Sequence, residues 1–281
     1  MTAMMPARYR VRHDRDYDEN PLAAALPLRF EARRALPGAE RRRRPSWPLC
    51  ADPSQTGADH RSATRAGALP HDEDSHFVDA VHQSVLESYR PRNPLERLSF
   101  DGRRIGFVSA PITLLTWELG GVSSAMRLFD LAHESMPTLI DHRTFNGRPY
   151  LSRQLVRLTV RLDATEVLVR TCAQILEATY AAMGVAGSRR VPGFRSLAAM
   201  AASTADACNA TNLGLLCVQA PSPLDHNEAC SLWELLTYLQ LRCGMALMLC
   251  CSDHTARRIA MGSRSGYRLL KATCSGFRPS R

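Results

Sequence analysis

The stretch from Leu215 to His254, LLCVQAPSPLDHNEACSLWELLTYLQLRCGMALMLCCSDH, decides how the rest of the chain is read. It carries Cys217, Cys230, Cys243, Cys250 and Cys251 together with His226 and His254. Asp225 stands three residues before Glu228, the spacing of a capping box. The Asp side chain accepts from a free backbone N–H of the first turn, and the Glu reaches back to the cap. That spacing predicts a helix starting there. From Leu232 to Cys251 the run is apolar nearly all round, which predicts a buried helix rather than a surface one. Glu234, Gln240 and Arg242 interrupt it, and a charge near a bilayer centre is costly, so a membrane span is rejected.

Two readings of the cysteines stand side by side. Cys250 and His254 are four residues apart, so on one helix both could project toward a tetrahedral zinc, with Cys243 nearby and Cys172 as an upstream ligand. His226 and Cys230 repeat the same spacing. No compact Cys-x2-Cys pair is present, and buried cysteine is also an ordinary small core residue. Catalytic signatures are missing: there is no phosphate-binding Walker loop, no GxGxxG after a strand, no GxSxG and no HExxH. Asp225, His226 and Cys230 form a nucleophile set only on paper, since such a set is recognised by geometry. The expectation is a non-enzymatic protein.

Working outward, composition allows a sizeable core, with 45% hydrophobic residues in 281. The formal charge is +9 and the pI is near 9.4, which suits an acidic partner. Lys271 is the only lysine among 36 basic residues. Arginine suits phosphate through its planar fork, and a GC-rich genome would produce the same bias. The odd cysteine count and the lack of an apolar leader segment lead to the expectation of a reducing compartment.

Residues 1–75 are rich in Arg, Asp, Pro and Ala and are expected to form a disordered arm. Within it, Arg41-Arg42-Arg43-Arg44 is a nuclear-import or nucleic-acid cluster. Leu22, Leu26 and Leu28 have the look of a docking peptide for a groove. From His76 the pattern changes. Phe77, Val81, Val85 and Tyr89 mark one face of a helix that Pro91 and Pro94 stop. Asp101-Gly102 is a possible hairpin turn, in competition with an irregular arm leading into a helix at Ile112–Leu119. Gly120-Gly121 ends that element and a further helix runs through Met126, Phe129 and His133.

Asp141 to Pro149 reads as a loop turning at Asn146-Gly147. A helix is expected from Leu151, with Leu155, Leu158 and Leu162 inward, then a second capping box at Asp163 and Glu166. Leu168, Cys172, Ile175, Leu176, Thr179 and Met183 define the clearest amphipathic helix, closed by Gly184 or Gly187. A small-residue helix is expected over Leu197–Cys208, and a basic tail ends the sequence. The whole is expected to be all-α: a disordered Arg-rich arm over 1–75 and a helical regulatory domain over 76–281.

Several stretches resemble the C-terminal segment of the herpesvirus multifunctional mRNA-export and expression-regulator family. Pro223-Leu224-Asp225 is followed by Ala229-Cys230, a leucine-patterned run and the cysteines at 243 and 250. Gly266-Tyr267 and Cys274-Ser275-Gly276-Phe277 are similar to that family's C-terminus. Phe100–Arg104 (FDGRR) looks like the start of its folded domain, and Leu158–Cys172 resembles its central helix. The resemblance implies an all-helical homodimer, a zinc site drawing on Cys172, Cys243, Cys250 and His254, and location in the host nucleus. It also implies RNA binding through Arg41–Arg44 and host mRNA-export adaptors as partners. The competing reading is a herpesviral tegument-type interaction protein with no nucleic-acid role.

Overall fold

The computed structural model of the chain describes residues 4–28, 72–96, 112–117, 122–162, 167–184, 193–220, 224–262, 267–273 and 276–279. Arg41–Arg44, the Asp101-Gly102 turn, the FDGRR stretch and the Asp163–Glu166 box lie outside the described residues.

The domain is mixed α/β, which corrects the all-α expectation. Its strands are β1 (Met4–Pro6), β2 (Ile112–Trp117), β3 (Leu139–Phe145), β4 (Arg148–Leu155), β5 (Arg157–Arg161), β6 (Leu215–Ala220), β7 (Ala246–Ser252), β8 (Tyr267–Thr273) and β9 (Gly276–Pro279). Its helices are α1 (Arg15–Asp18), α2 (Pro21–Ala24), α3 (Asp72–Tyr89), α4 (Val122–Glu134), α5 (Val167–Met183), α6 (Leu197–Ala210), α7 (His226–Cys243) and α8 (Asp253–Gly262). A 3-10 turn, Arg90–Arg92, extends α3.

The larger sheet has the order β5-β6-β7-β2-β8-β9. Its first five strands are parallel, and β9 closes the edge antiparallel to β8. In the smaller sheet β1 runs parallel to β3, which forms an antiparallel hairpin with β4.

The reason the sequence reading missed these strands lies in their two-sided burial. Leu114, Leu216, Val218, Leu247, Leu249 and Cys251 face a core shared with α5, α6, α7 and α8. Their strand neighbours Leu115, Leu215, Cys217, Met248 and Cys250 face a second core with α2, α3 and α4. The period of two is intact, but both faces are apolar, so no alternation is visible. An unbroken apolar run is then as consistent with a buried helix as with a parallel strand.

The predicted helix Leu232–Cys251 is in fact two elements. α7 starts with the capping box as read: the Asp225 carboxylate accepts from Glu228 N at 2.8 Å, and Glu228 accepts from Asp225 N at 3.0 Å. It stops at Gly244, which sits in the left-handed region at φ +64° and donates its N–H to Gln240 O at 2.7 Å. β7 follows at once. The expected helices at Ile112–Leu119 and from Leu151 are likewise replaced, by β2 and by β4 with β5.

Residues 4–28 are also not a disordered arm. Leu22 and Leu26 are fully buried against α3 and the sheet, so the leucines of the expected docking peptide dock inside their own chain. Asn20 caps α2 through its carbonyl oxygen, which accepts from Leu22 N at 3.0 Å, and its amide donates to Tyr89 O at 2.7 Å. The composition of this segment is too polar to fold alone. It gains its apolar contacts only from a scaffold built by residues far along the sequence.

That scaffold is bolted at Arg92. Its guanidinium donates to Ser88 O (2.7 Å), Leu213 O (2.8 Å), Cys243 O (3.2 Å) and Ser88 Oγ (3.0 Å), and stacks 4.5 Å above the Tyr89 ring. Gly214 lies beneath: a Cβ there would stand 2.7 Å from Val156 O, so only glycine permits the approach.

Candidate functional site

The four sequence-proposed zinc ligands do not converge. Cys243, on the last turn of α7, donates its thiol to Ala205 O of α6 at 3.4 Å. Cys172 of α5 and Cys208 of α6 share its core. The contact with Cys243 and then burial push the Cys208 thiol well up, and burial raises Cys172.

Cys250 lies on β7 and faces the opposite core, with Cys217, so the sheet stands between it and Cys243. Burial holds its thiol up as well, and takes Cys217 to about 12. His254 is exposed on the first turn of α8. Among the described residues no group of three or more His, Cys, Asp or Glu could hold a metal ion. His226 and Cys230 are neighbours on one exposed turn, with Sγ 3.8 Å from Nε2, while the adjacent Asp225 is committed to its cap.

Open parallel sheets bind ligands outside the carboxyl ends of adjacent strands whose connections leave on opposite faces. Here those strands are β2 and β7: α4 packs into one core and α8 into the other. Ser252, Asp253 and Thr255 at that end serve the start of α8, and the buried Thr116 Oγ1 of β2 has no hydrogen-bond partner. Ser252 Oγ accepts from Thr255 N at 3.2 Å and lies 3.1 Å from Thr255 Oγ1, and Asp253 pairs with Arg257 at 2.7 Å. No nucleophile–base pair stands there among the described residues.

The β3–β4 hairpin is built differently. Its tip turns at Asn146 (φ +48°) and Gly147 (φ +75°), two successive positive φ values that match a tight two-residue hairpin turn. Asn146-Gly147 was read correctly as a turn; its flanks are strands rather than loop. Arg143, Thr144, Asn146, Arg148, Pro149, Leu151 and Arg153 are all exposed. Arg143 pairs with Asp141 at 2.7 Å, leaving the ribbon net basic. No protein-family model matches the chain, and no curated protein matches it.

The base of the ribbon is held by a buried relay. His142 Nε2 lies 2.9 Å from Gln154 Oε1, and Gln154 Nε2 donates to Leu22 O at 3.0 Å. Since Gln154 offers an oxygen, His142 carries its proton on Nε2 and accepts at Nδ1 from Tyr9 Oη, 2.9 Å away. Burial lowers the His142 pKa, and burial with the nearby Tyr150 raises Tyr9 to about 12. Both shifts favour this arrangement, a neutral imidazole accepting from a protonated phenol. The sequence signal for the ribbon was available in Arg143 and Arg148 flanking Asn-Gly. The relay, spanning 133 residues from Tyr9 to His142, left none.

No helix among the described residues is long and apolar enough to cross a membrane.

Proposed function

We propose that the protein is a non-enzymatic, RNA-binding regulator in which the β3–β4 ribbon contacts phosphates alongside Arg41–Arg44. The observation that carries this reading is the ribbon: two exposed strands bearing Arg143, Arg148 and Arg153, on a base fixed by the His142 relay. Guanidinium forks pair with phosphate, and a basic surface can track a single-stranded backbone without reading its sequence. The +9 formal charge agrees. Nuclear import through Arg41–Arg44 belongs to the same proposal. The export-bridging role implied by the family resemblance was tied to an all-helical domain that this chain does not build, so the proposal is limited to RNA binding.

Fluorescence anisotropy with single-stranded RNA across a salt series tests it. Changing Arg143, Arg148 and Arg153 together to Gln should weaken binding and flatten the log–log salt slope by about 2, at roughly 0.7 per phosphate contact. An unchanged affinity and slope would sink the ribbon as the contact.

A second reading, a protein-interaction module, draws on a shallow apolar groove of about 430 Å³ between α5, α6 and α7, lined by Leu168, Leu197, Leu235 and Tyr238. Leu241 on α7 is also exposed. Partner binding that survives nuclease treatment and is lost in Leu197→Asp would favour it over the RNA reading.

A further inference from the structure

A cavity of about 400 Å³ opens on the other side of the molecule, between β1, the end of α2, the α4–β3 turn and the start of β5. Its walls are mostly apolar, including Pro6, Pro27, Met136 and Ile140. Into this lining come three guanidinium groups, those of Arg8, Arg10 and Arg157, against a single carboxylate, Glu134. Arg10 is held in place by donating to Ala25 O at 3.2 Å.

Arg157 is the anomaly. Its Nε and Nη1 are sealed from solvent and have no hydrogen-bond partner. Glu134 lines the same cavity but bonds neither nitrogen. A buried donor left unpaired is costly, and a cation more so. Burial pulls the Arg157 pKa down, as expected for a charge short of acceptors. The sealed Nε and Nη1 are out of a ligand's reach, which leaves Nη2 as the donor that Arg157 can offer to the cavity.

We infer that this cavity is a binding site for a small amphipathic anion, its carboxylate or phosphate head paired with Arg157 and its apolar body lying along Pro6, Pro27, Met136 and Ile140. The volume is that of a small-ligand pocket. An apolar wall with a few polar groups is the usual composition of such sites, and a guanidinium N–H donates a charge-assisted hydrogen bond to either head group. Arg8 and Arg10 raise the local positive potential at the same cavity. A peptide strand adding to the sheet fits less well. β1 has only three residues, and Pro6 offers no N–H to a further strand.

This site is independent of the RNA proposal, and the test separates the two. Isothermal titration of the full-length protein would use octanoate, octyl phosphate, inorganic phosphate and, as the uncharged control, octanol. Saturable binding of octanoate or octyl phosphate, tighter than either inorganic phosphate or octanol, is expected, and the tighter of the two identifies the head group. Arg157→Met should weaken that binding by about tenfold or more, the loss of one charge-assisted pair. Thr138→Glu, which places a negative charge on the cavity wall, should do the same, and it carries the test if Arg157→Met does not fold. The inference is overturned if neither octyl anion saturates, if octanol or inorganic phosphate binds as tightly as the octyl anions, or if a folded Arg157→Met or Thr138→Glu protein binds unchanged. Displacement of the probe by single-stranded RNA would also overturn it, by assigning the arginines to the nucleic-acid contact.

Discussion

The two layers that cover the large sheet are held by different means. On one side α5, α6 and α7 pack through leucines, alanines and the thiols of Cys172, Cys208 and Cys243, and the hydrogen bonds of these side chains reach no farther than a neighbouring helix. On the other side residues 4–28, α3 and the β3–β4 hairpin are tied by polar side chains that reach across the sequence. Asn20 bonds Tyr89, Gln154 bonds Leu22, Arg92 bonds Leu213 and Cys243, and Tyr9 bonds His142. The first layer meets those ties at Cys243 O, which accepts from Arg92, and otherwise presents a shallow groove. The second holds the basic ribbon and the unpaired guanidinium of Arg157. Polar groups aimed outward or left without acceptors concentrate where the chain is assembled from distant pieces, and both proposed binding sites lie there.

The sharpest way to break this contrast is at Leu26. If residues 4–28 are as integral as the helical layer, Leu26→Ala should cost about 2–5 kcal/mol in denaturant unfolding, as for any large-to-small change at a fully buried position. A loss under about 0.5 kcal/mol, the level of an ordinary surface substitution, would mean that the segment is only loosely attached. In the helical layer, Asp225→Ala removes one half of the capping box and should cost about 1 kcal/mol, read by the same unfolding curve.

The smallest effect concerns pH. His142 is buried with its pKa below the usual 6.5, so the unfolded chain takes up its proton first. The stability this group contributes is present above pH 6.5 and declines as pH falls from there toward the lowered folded value. Amide protection factors at residues 4–28, with the intrinsic pH dependence of exchange divided out, should therefore fall between pH 7 and 5 in the native protein. In His142→Phe that pH dependence should vanish; its persistence would place the sensitivity elsewhere.

What the sequence disclosed follows the same division. The helix face of Phe77, Val81, Val85 and Tyr89, the amphipathic helix through Cys172, the small-residue helix from Leu197 and the Asp225–Glu228 cap are all local patterns, and all are present. Strands β2, β6 and β7 were not legible, since burial on two faces erases their alternation. Gly244 was the overlooked punctuation that separates α7 from β7. Leu155 and Leu158, read as one helix face, instead lie on β4 and β5, with Val156 and Arg157 between them. Arg157 carried no signal at all, because its peculiarity is the lack of an acceptor in space.

The relay from Gln154 to Leu22 also has a bearing on synthesis. The two residues are 132 positions apart, and at 5–20 residues per second the ribosome needs roughly 7–26 s to make the second after the first. Throughout that interval the part of the docking surface for Leu22 and Leu26 that β6 and β7 supply is missing, since those strands are made later still. Nascent chains of this protein should expose Leu22 and Leu26 to chaperones until β7 emerges, which ribosome-bound chains halted before and after residue 252 would reveal.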